Sequence, residues 1–172
     1  TVEDDFSKPS TQEYIRKMIM DFPGISIHGS LPCTPWCPRH AINLSKLGPD
    51  FKDKLKKERS LSLKMLSAFI ELAELALDLG GQVTFEWPRA SHGWLQRELQ
   101  EFIKRNNLIE ARPCGCFFGM TNNEGQLVKK EWRFTCSSPV VAAALIMCVC
   151  QCPPGVKHGE IHGSFTKKTE NY

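Results

Sequence analysis

Two short stretches carry residue types that do chemistry. In GSLPCTPWCPRH, residues 29–40, a thiol follows a proline just beyond the apolar run ISIHG. Proline restrains the backbone around it, so Cys33 is presented in a fixed and accessible place, as a nucleophile requires. Cysteine attacks as a thiolate and gains from nearby positive charge, which Arg39 and His40 could supply. In QVTFEWP, Glu86 ends an otherwise apolar strand. Poor solvation there raises a carboxyl's pKa and suits it to proton donation. Other readings compete. Glu86 could cap the helix near His92 or pair with an arginine. Cys33 and Cys37, spaced Cys-x3-Cys, could hold zinc, while their spacing is one residue longer than a thioredoxin-type redox pair. Trp36 between them serves either as a packing anchor or as a base-stacking platform.

A third group lies in CVCQCPPGVKHGEIHG, residues 148–163. Zinc takes four tetrahedral nitrogen or sulfur ligands, and Cys150, Cys152, His158 and His162 have loop spacing that fits such a site. Cys114 and Cys116, flanking a glycine, are alternative sources of a fourth ligand. The competing reading is a solvated tail with incidental histidines, and Cys136, Cys148 and Cys150 also read as small buried hydrophobes. The His-x-Glu with Pro-Cys-x2-Cys signature of zinc deaminases is absent, which argues against a catalytic ion.

The elements that must position these residues follow from pattern and punctuation. The 172 residues suit one compact domain with a sizeable core. A net charge of +3 with no long basic run is compatible with a polyanionic partner without demanding one. The most apolar segment, Leu61 to Leu79, is interrupted by Lys64, Glu71, Glu74 and Asp78, so no membrane span is expected. The acidic start lacks a signal peptide, and the clustering of the eight cysteines suggests a reducing compartment. An intracellular protein is expected, nuclear in a eukaryote. Ser10 and Glu13 form a capping box for a short helix, ISIHG reads as a strand, and Gly29 to about Leu47 reads as a loop. A long helix spans about Asp50 to Asp78, QVTFEW is a strand, and a helix runs from about His92 to Arg105. LIEAR, then CGCFFGM and QLVKKEWRFTC around an Asn123-Glu124-Gly125 turn, complete the strands, and Ser138-Pro139 opens a last helix. The fold class expected is α/β, a mixed and mostly parallel sheet flanked by helices, with residues 1–147 as the domain and 148–172 as a Cys/His-rich tail. Strands joined by one crossover helix are often neighbours, which would turn Cys33 and Glu86 into one crevice.

GSLPC, then Arg59, then a helix and a strand ending in FEWP together resemble the DNA (cytosine-5) methyltransferases. In that family a Gly-x-Pro-Pro-Cys loop carries the nucleophile, a Glu-Asn-Val tripeptide carries the glutamate, and an arginine usually precedes the intervening helix. The resemblance covers about Asp21 to Thr135. It implies a partial S-adenosylmethionine-methyltransferase-like Rossmann fold. It further implies that Cys33 adds to C6 of a cytosine, that Glu86 holds the N3 edge, and that Arg133 faces the flipped base or its phosphates. Arg59, Lys130 and Arg39 would contact DNA, and Ser30 and Pro32 would lie beside S-adenosylmethionine. This chain departs from the pattern at Leu31, where the family has proline, and at Trp87, where it has the asparagine that orients the loop. No glycine-rich strand–turn–helix precedes ISIHG, so an upstream segment or a separate chain would complete the cofactor site. The same motifs are similar to methyltransferase-like segments of retrotransposon polyproteins. That likeness admits an alternative, a catalytically degenerate, zinc-stabilised nucleic-acid-binding module. A thiol-dependent hydrolase or transferase pairing Cys33 with His28 or His40 is a third possibility.

Overall fold

A computed structural model of the chain describes residues 5–159. Helix α1, Pro9–Asp21, starts on proline, whose fixed φ suits the first helical position, with Lys8 as the extended cap residue. Ser10 therefore lies inside the helix, and the expected capping box does not form. Strand β1, Ile27–Gly29, follows a turn at Gly24. The segment expected as an irregular loop holds a 3-10 turn, Thr34–Trp36, and a short helix α2, His40–Lys46. Helix α3 runs from Gly48 to Asp78, and the chain returns through Gly80 and Gly81 into β2, Val83–Pro88. A Cβ on Gly81 would meet the Ile25 carbonyl at 2.1 Å, so only glycine lets the two segments close here.

The helix expected over His92–Arg105 is split. A 3-10 turn, His92–Leu95, is followed by extended Gln96 and then by α4, Arg97–Arg105. Strand β3 covers Ile109–Ala111 and β4 covers Trp132–Cys136. Helix α5, Pro139–Ile146, is capped by Ser138, whose hydroxyl accepts from the Val141 amide. Among the described residues no helix is long and apolar enough to cross a membrane.

The four strands form one mixed sheet in the order β1-β2-β4-β3. Only β1 and β2 run parallel; β4 is antiparallel to both β2 and β3, so the expectation of a mostly parallel sheet is corrected. The reason lies between β3 and β4. Residues 112–131 contain no crossover helix, and a strand that returns without one pairs antiparallel. CGCFFGM, expected as a strand, is a 3-10 turn at Gly115–Phe118, and the excursion touches itself through single bridges, Cys114↔Glu131 and Thr121↔Leu127. Its tip is the expected turn: Asn122 Oδ1 accepts from the Glu124 and Gln126 amides, and Gly125 has φ +76°.

Alternation along β2 divides the sheet's two faces. Val83, Phe85 and Trp87 are fully buried in the core with α3 and α4. Phe85 meets Phe69 at 5.2 Å and packs edge-on to Trp87 and Trp94, where burying a side chain of this size contributes roughly 1.5–3 kcal/mol. Thr84, Glu86 and Pro88 point the other way, opposite Cys136, Phe134 and Trp132 in register.

Candidate functional site

The second face of the sheet forms the floor of a cavity of about 790 Å³. Cys33, Glu86 and Lys130 all line it, joined by His28, Trp132 and Phe134 from the strands and by Phe118, Met120 and Leu145 from the surrounding segments. The parallel pairing of β1 with β2 is what brings the Cys33 loop and Glu86 to one cavity, as the crossover argument expects. Cys33 sits where the loop enters the Thr34–Trp36 turn, and it is half-buried.

Three contacts set the shape of that loop. Trp87 donates its buried indole N–H to the Leu31 carbonyl at 2.6 Å. Trp36 donates to the Ser62 hydroxyl at 2.8 Å on α3, so its ring is a packing anchor. Arg59, also on α3, donates to the Pro35 carbonyl at 3.1 Å and lies over the Trp36 ring. Arg59 thus holds the loop from behind and does not line the cavity. Arg39 is exposed just ahead of α2, also away from the cavity.

Glu86 is pushed above the usual carboxylate range by burial, an effect that the Ser30 hydrogen bond and the nearby Lys130 charge only partly offset. Ser30 Oγ donates to Glu86 Oε2 at 2.8 Å, so this hydroxyl serves the glutamate. Lys130 lies 5.1 Å from the Trp132 ring centroid. His28 shares a 2.7 Å hydrogen bond with Thr84 Oγ1, stacks on Phe134, and has its pKa lowered by burial. His40 bonds the Thr34 carbonyl through Nε2 at 2.6 Å. His28 and His40, the alternative partners for Cys33 in a thiol hydrolase, are thus hydrogen-bonded to Thr84 and Thr34 respectively. Cys33 and Cys37 are not joined by a disulfide.

Arg133, like Arg59 and Arg39, lies outside the cavity. It pairs with Trp87 on the helix-covered face, with its guanidinium 4.5 Å from the Trp94 ring and 2.6 Å from Glu110. Successive residues of a strand face opposite ways, so β4 presents Trp132 and Phe134 to the cavity and turns Arg133 from it. Neither aromatic was named from sequence. The alternation in EWRFT was visible, but which half of it faces Glu86 depends on the register with β2.

A second group of candidate residues joins the tail to the 112–131 excursion, other residues of which line the cavity. The ligand atoms of Cys116, Cys150, Cys152 and His158 all lie within 4.8 Å of one another, a group that could hold a metal ion. Three of the four expected tail ligands or their alternatives thus converge with Cys116, while His162 lies outside the described residues. Cys148 and Cys150 are only half-buried, so reading them as core hydrophobes is corrected; Cys136 is fully buried and fits that reading. Cys114 is buried beside the cluster, its sulfur 3.3 Å from that of Cys116. The tail is bonded to the body at both ends: the Cys114 amide donates to the Cys148 carbonyl, and the Gly159 amide to the Leu127 carbonyl. No protein family, curated protein or solved structure matches the chain.

Proposed function

We propose that the cavity receives a cytosine base extruded from DNA, and that the chain carries the base-binding and nucleophilic part of an S-adenosylmethionine-dependent DNA (cytosine-5) methyltransferase. The observation that carries this reading is the convergence of Cys33 and Glu86 on one cavity walled by Trp132 and Phe134. Aromatic walls suit a flat base, and a carboxyl whose pKa is raised by burial suits the N3 edge of cytosine. Trp87 supports the same reading. Where the family uses an asparagine to orient the nucleophile loop, the Trp87 indole here ties the Leu31 carbonyl.

In this reaction the Cys33 thiolate bonds to C6 of the ring. The C5=C6 electron pair shifts toward C4 as N3 takes the proton of Glu86, leaving an enamine that is nucleophilic at C5. After C5 has been alkylated or protonated, its original proton passes to solvent, the Cys33 thiolate is expelled, and N3 returns its proton to Glu86, which restores the aromatic ring. Lys130 at the cavity wall meets the base or a phosphate. S-adenosylmethionine would supply the methyl group. The described residues do not fit it on their own: Ser30 is engaged by Glu86, and α1, not a glycine-rich turn, leads into β1. Its cradle is assigned to an upstream segment or a separate chain.

Addition at C6 can be read without the methyl donor. In deuterated water, DNA cytosine is expected to exchange its C5 hydrogen in the presence of the wild-type chain and not with Cys33→Ser. With S-adenosylmethionine and the full-length protein, 5-fluorocytosine DNA is expected to trap an adduct on the Cys33 peptide. Absence of both signals would end the catalytic reading. It would leave a zinc-stabilised nucleic-acid-binding module, which the Cys/His group favours and in which Cys33→Ser keeps full DNA affinity.

A further inference from the structure

The residues that carry the tail's Cys/His group also lead into the cavity. Cys116 sits in the same 3-10 turn as Phe118, which lines it, and Pro113, Met120 and Lys130 of the same excursion line it too. On the tail side, Leu145 at the end of α5 faces the cavity shortly before the chain reaches Cys150. We propose that Cys116, Cys150, Cys152 and His158 bind one Zn²⁺ ion, which clamps the tail onto the 112–131 excursion and thereby holds one wall of the cavity in place.

The donor set selects the ion. Three thiolates with one imidazole and no carboxylate make a closed, soft, tetrahedral site of the kind that structural zinc occupies. Cys116 contributes from a buried position, and the other three from half-buried ones, so the ion would be largely screened from water. The Cys152 backbone N–H bonds the Cys150 sulfur, and Lys129 lies near it, which fixes the position of that sulfur beside the other ligands. The tail also needs such a fastening. Between 148 and 159 most side chains are exposed and none is fully buried, so apolar burial does little to hold this segment. Apart from the cluster, its backbone is tied to the excursion by the two bonds at Cys148 and Gly159. Cys114 stays outside the set as a neighbour of Cys116, near enough to share an S–H···S contact.

The inference rests on metal binding at this cluster and not on methyl transfer, so its test uses neither DNA nor S-adenosylmethionine. The full chain, purified with zinc, is analysed for metal content, and the bound ion is then exchanged for Co²⁺. The expected result is one zinc per chain, and intense visible bands of tetrahedral, thiolate-rich cobalt. Cys116→Ser, Cys150→Ser and Cys152→Ser should each lose the zinc, whereas Cys114→Ser and His162→Ala should keep it. Chelation of the wild type should speed amide exchange across 112–131 and 145–159 while leaving β2 and α3 protected. The chelation arm stands even where a cysteine variant fails to fold. Absence of bound zinc, its retention in Cys116→Ser, its loss in Cys114→Ser, or iron with inorganic sulfide in its place would overturn the assignment. Loss of protection throughout the chain on chelation would overturn the local clamp.

Discussion

Glu86 gains its proposed chemistry from where β2 puts it. Burial holds its carboxyl protonated to a higher pH than usual, and Ser30 fixes one oxygen. A proton donor of this kind works on the acid side of its own pKa, so the rate of C5 exchange is expected to fall as pH rises through that raised value. Glu86→Gln should slow exchange by about 10²–10⁴-fold, the usual contribution of a positioned acid, and should abolish this limb of the pH–rate profile. Trp87 acts on Cys33 from a distance. Trp87→Phe keeps an aromatic ring against Phe85 but strands the buried Leu31 carbonyl, at a cost of about 1–3 kcal/mol. Urea unfolding should show a lower midpoint with an unchanged slope, and the same variant should slow exchange by loosening the loop that carries Cys33.

At the scale of elements, α3 and α4 fill one face of the sheet, and the cavity opens on the other, where α5 contributes Leu145. The 3-10 turn His92–Leu95 brings Gly93 directly beneath the Trp87 ring, where a Cβ would come within 2.2 Å of a ring carbon. Gly93→Ala therefore forces the ring aside or the turn outward. Overpacking of this sort costs about 1–3 kcal/mol, and thermal unfolding should register it. Because the displaced ring is the one that holds Leu31, Gly93→Ala should also change the rate at which iodoacetamide alkylates Cys33. A surface variant such as Lys54→Ala should leave both unchanged. On the other strand of the parallel pair, Gly29 has the same relation to Phe69, with a Cβ only 2.5 Å from its ring. Glycine at these two places lets α3 and the turn close on the sheet.

For the whole molecule, two groups in the cavity oppose each other in their dependence on pH. Glu86 has a raised folded pKa, so it withdraws stability as pH climbs from 4.5 toward that value. His28 has a lowered one, so it withdraws stability as pH falls below 6.5. Glu86→Gln is expected to gain stability over wild type as pH rises through the first window, and to match it at lower pH; chemical denaturation at a series of pH values would measure the difference. Much of this architecture was legible in the chain itself. Pro9, Gly24, Gly80-Gly81 and Ser138-Pro139 mark element ends by local backbone preference, and the alternation in QVTFEW marks a strand. A strand, a helical crossover and a strand were enough to bring Cys33 and Glu86 to one cavity, because a parallel pair joined this way is compact and local. What stayed hidden depends on partners far away in sequence. A one-residue change of register turns a strand's side chains over, so only the pairing of β4 with β2 decides that Trp132 and Phe134 enter the cavity and Arg133 does not. In the same way, a C-x-C and a histidine suggest metal chemistry locally, but packing decides which residue joins them: Cys116, not Cys114, has its sulfur within 4.8 Å of the other three ligand atoms.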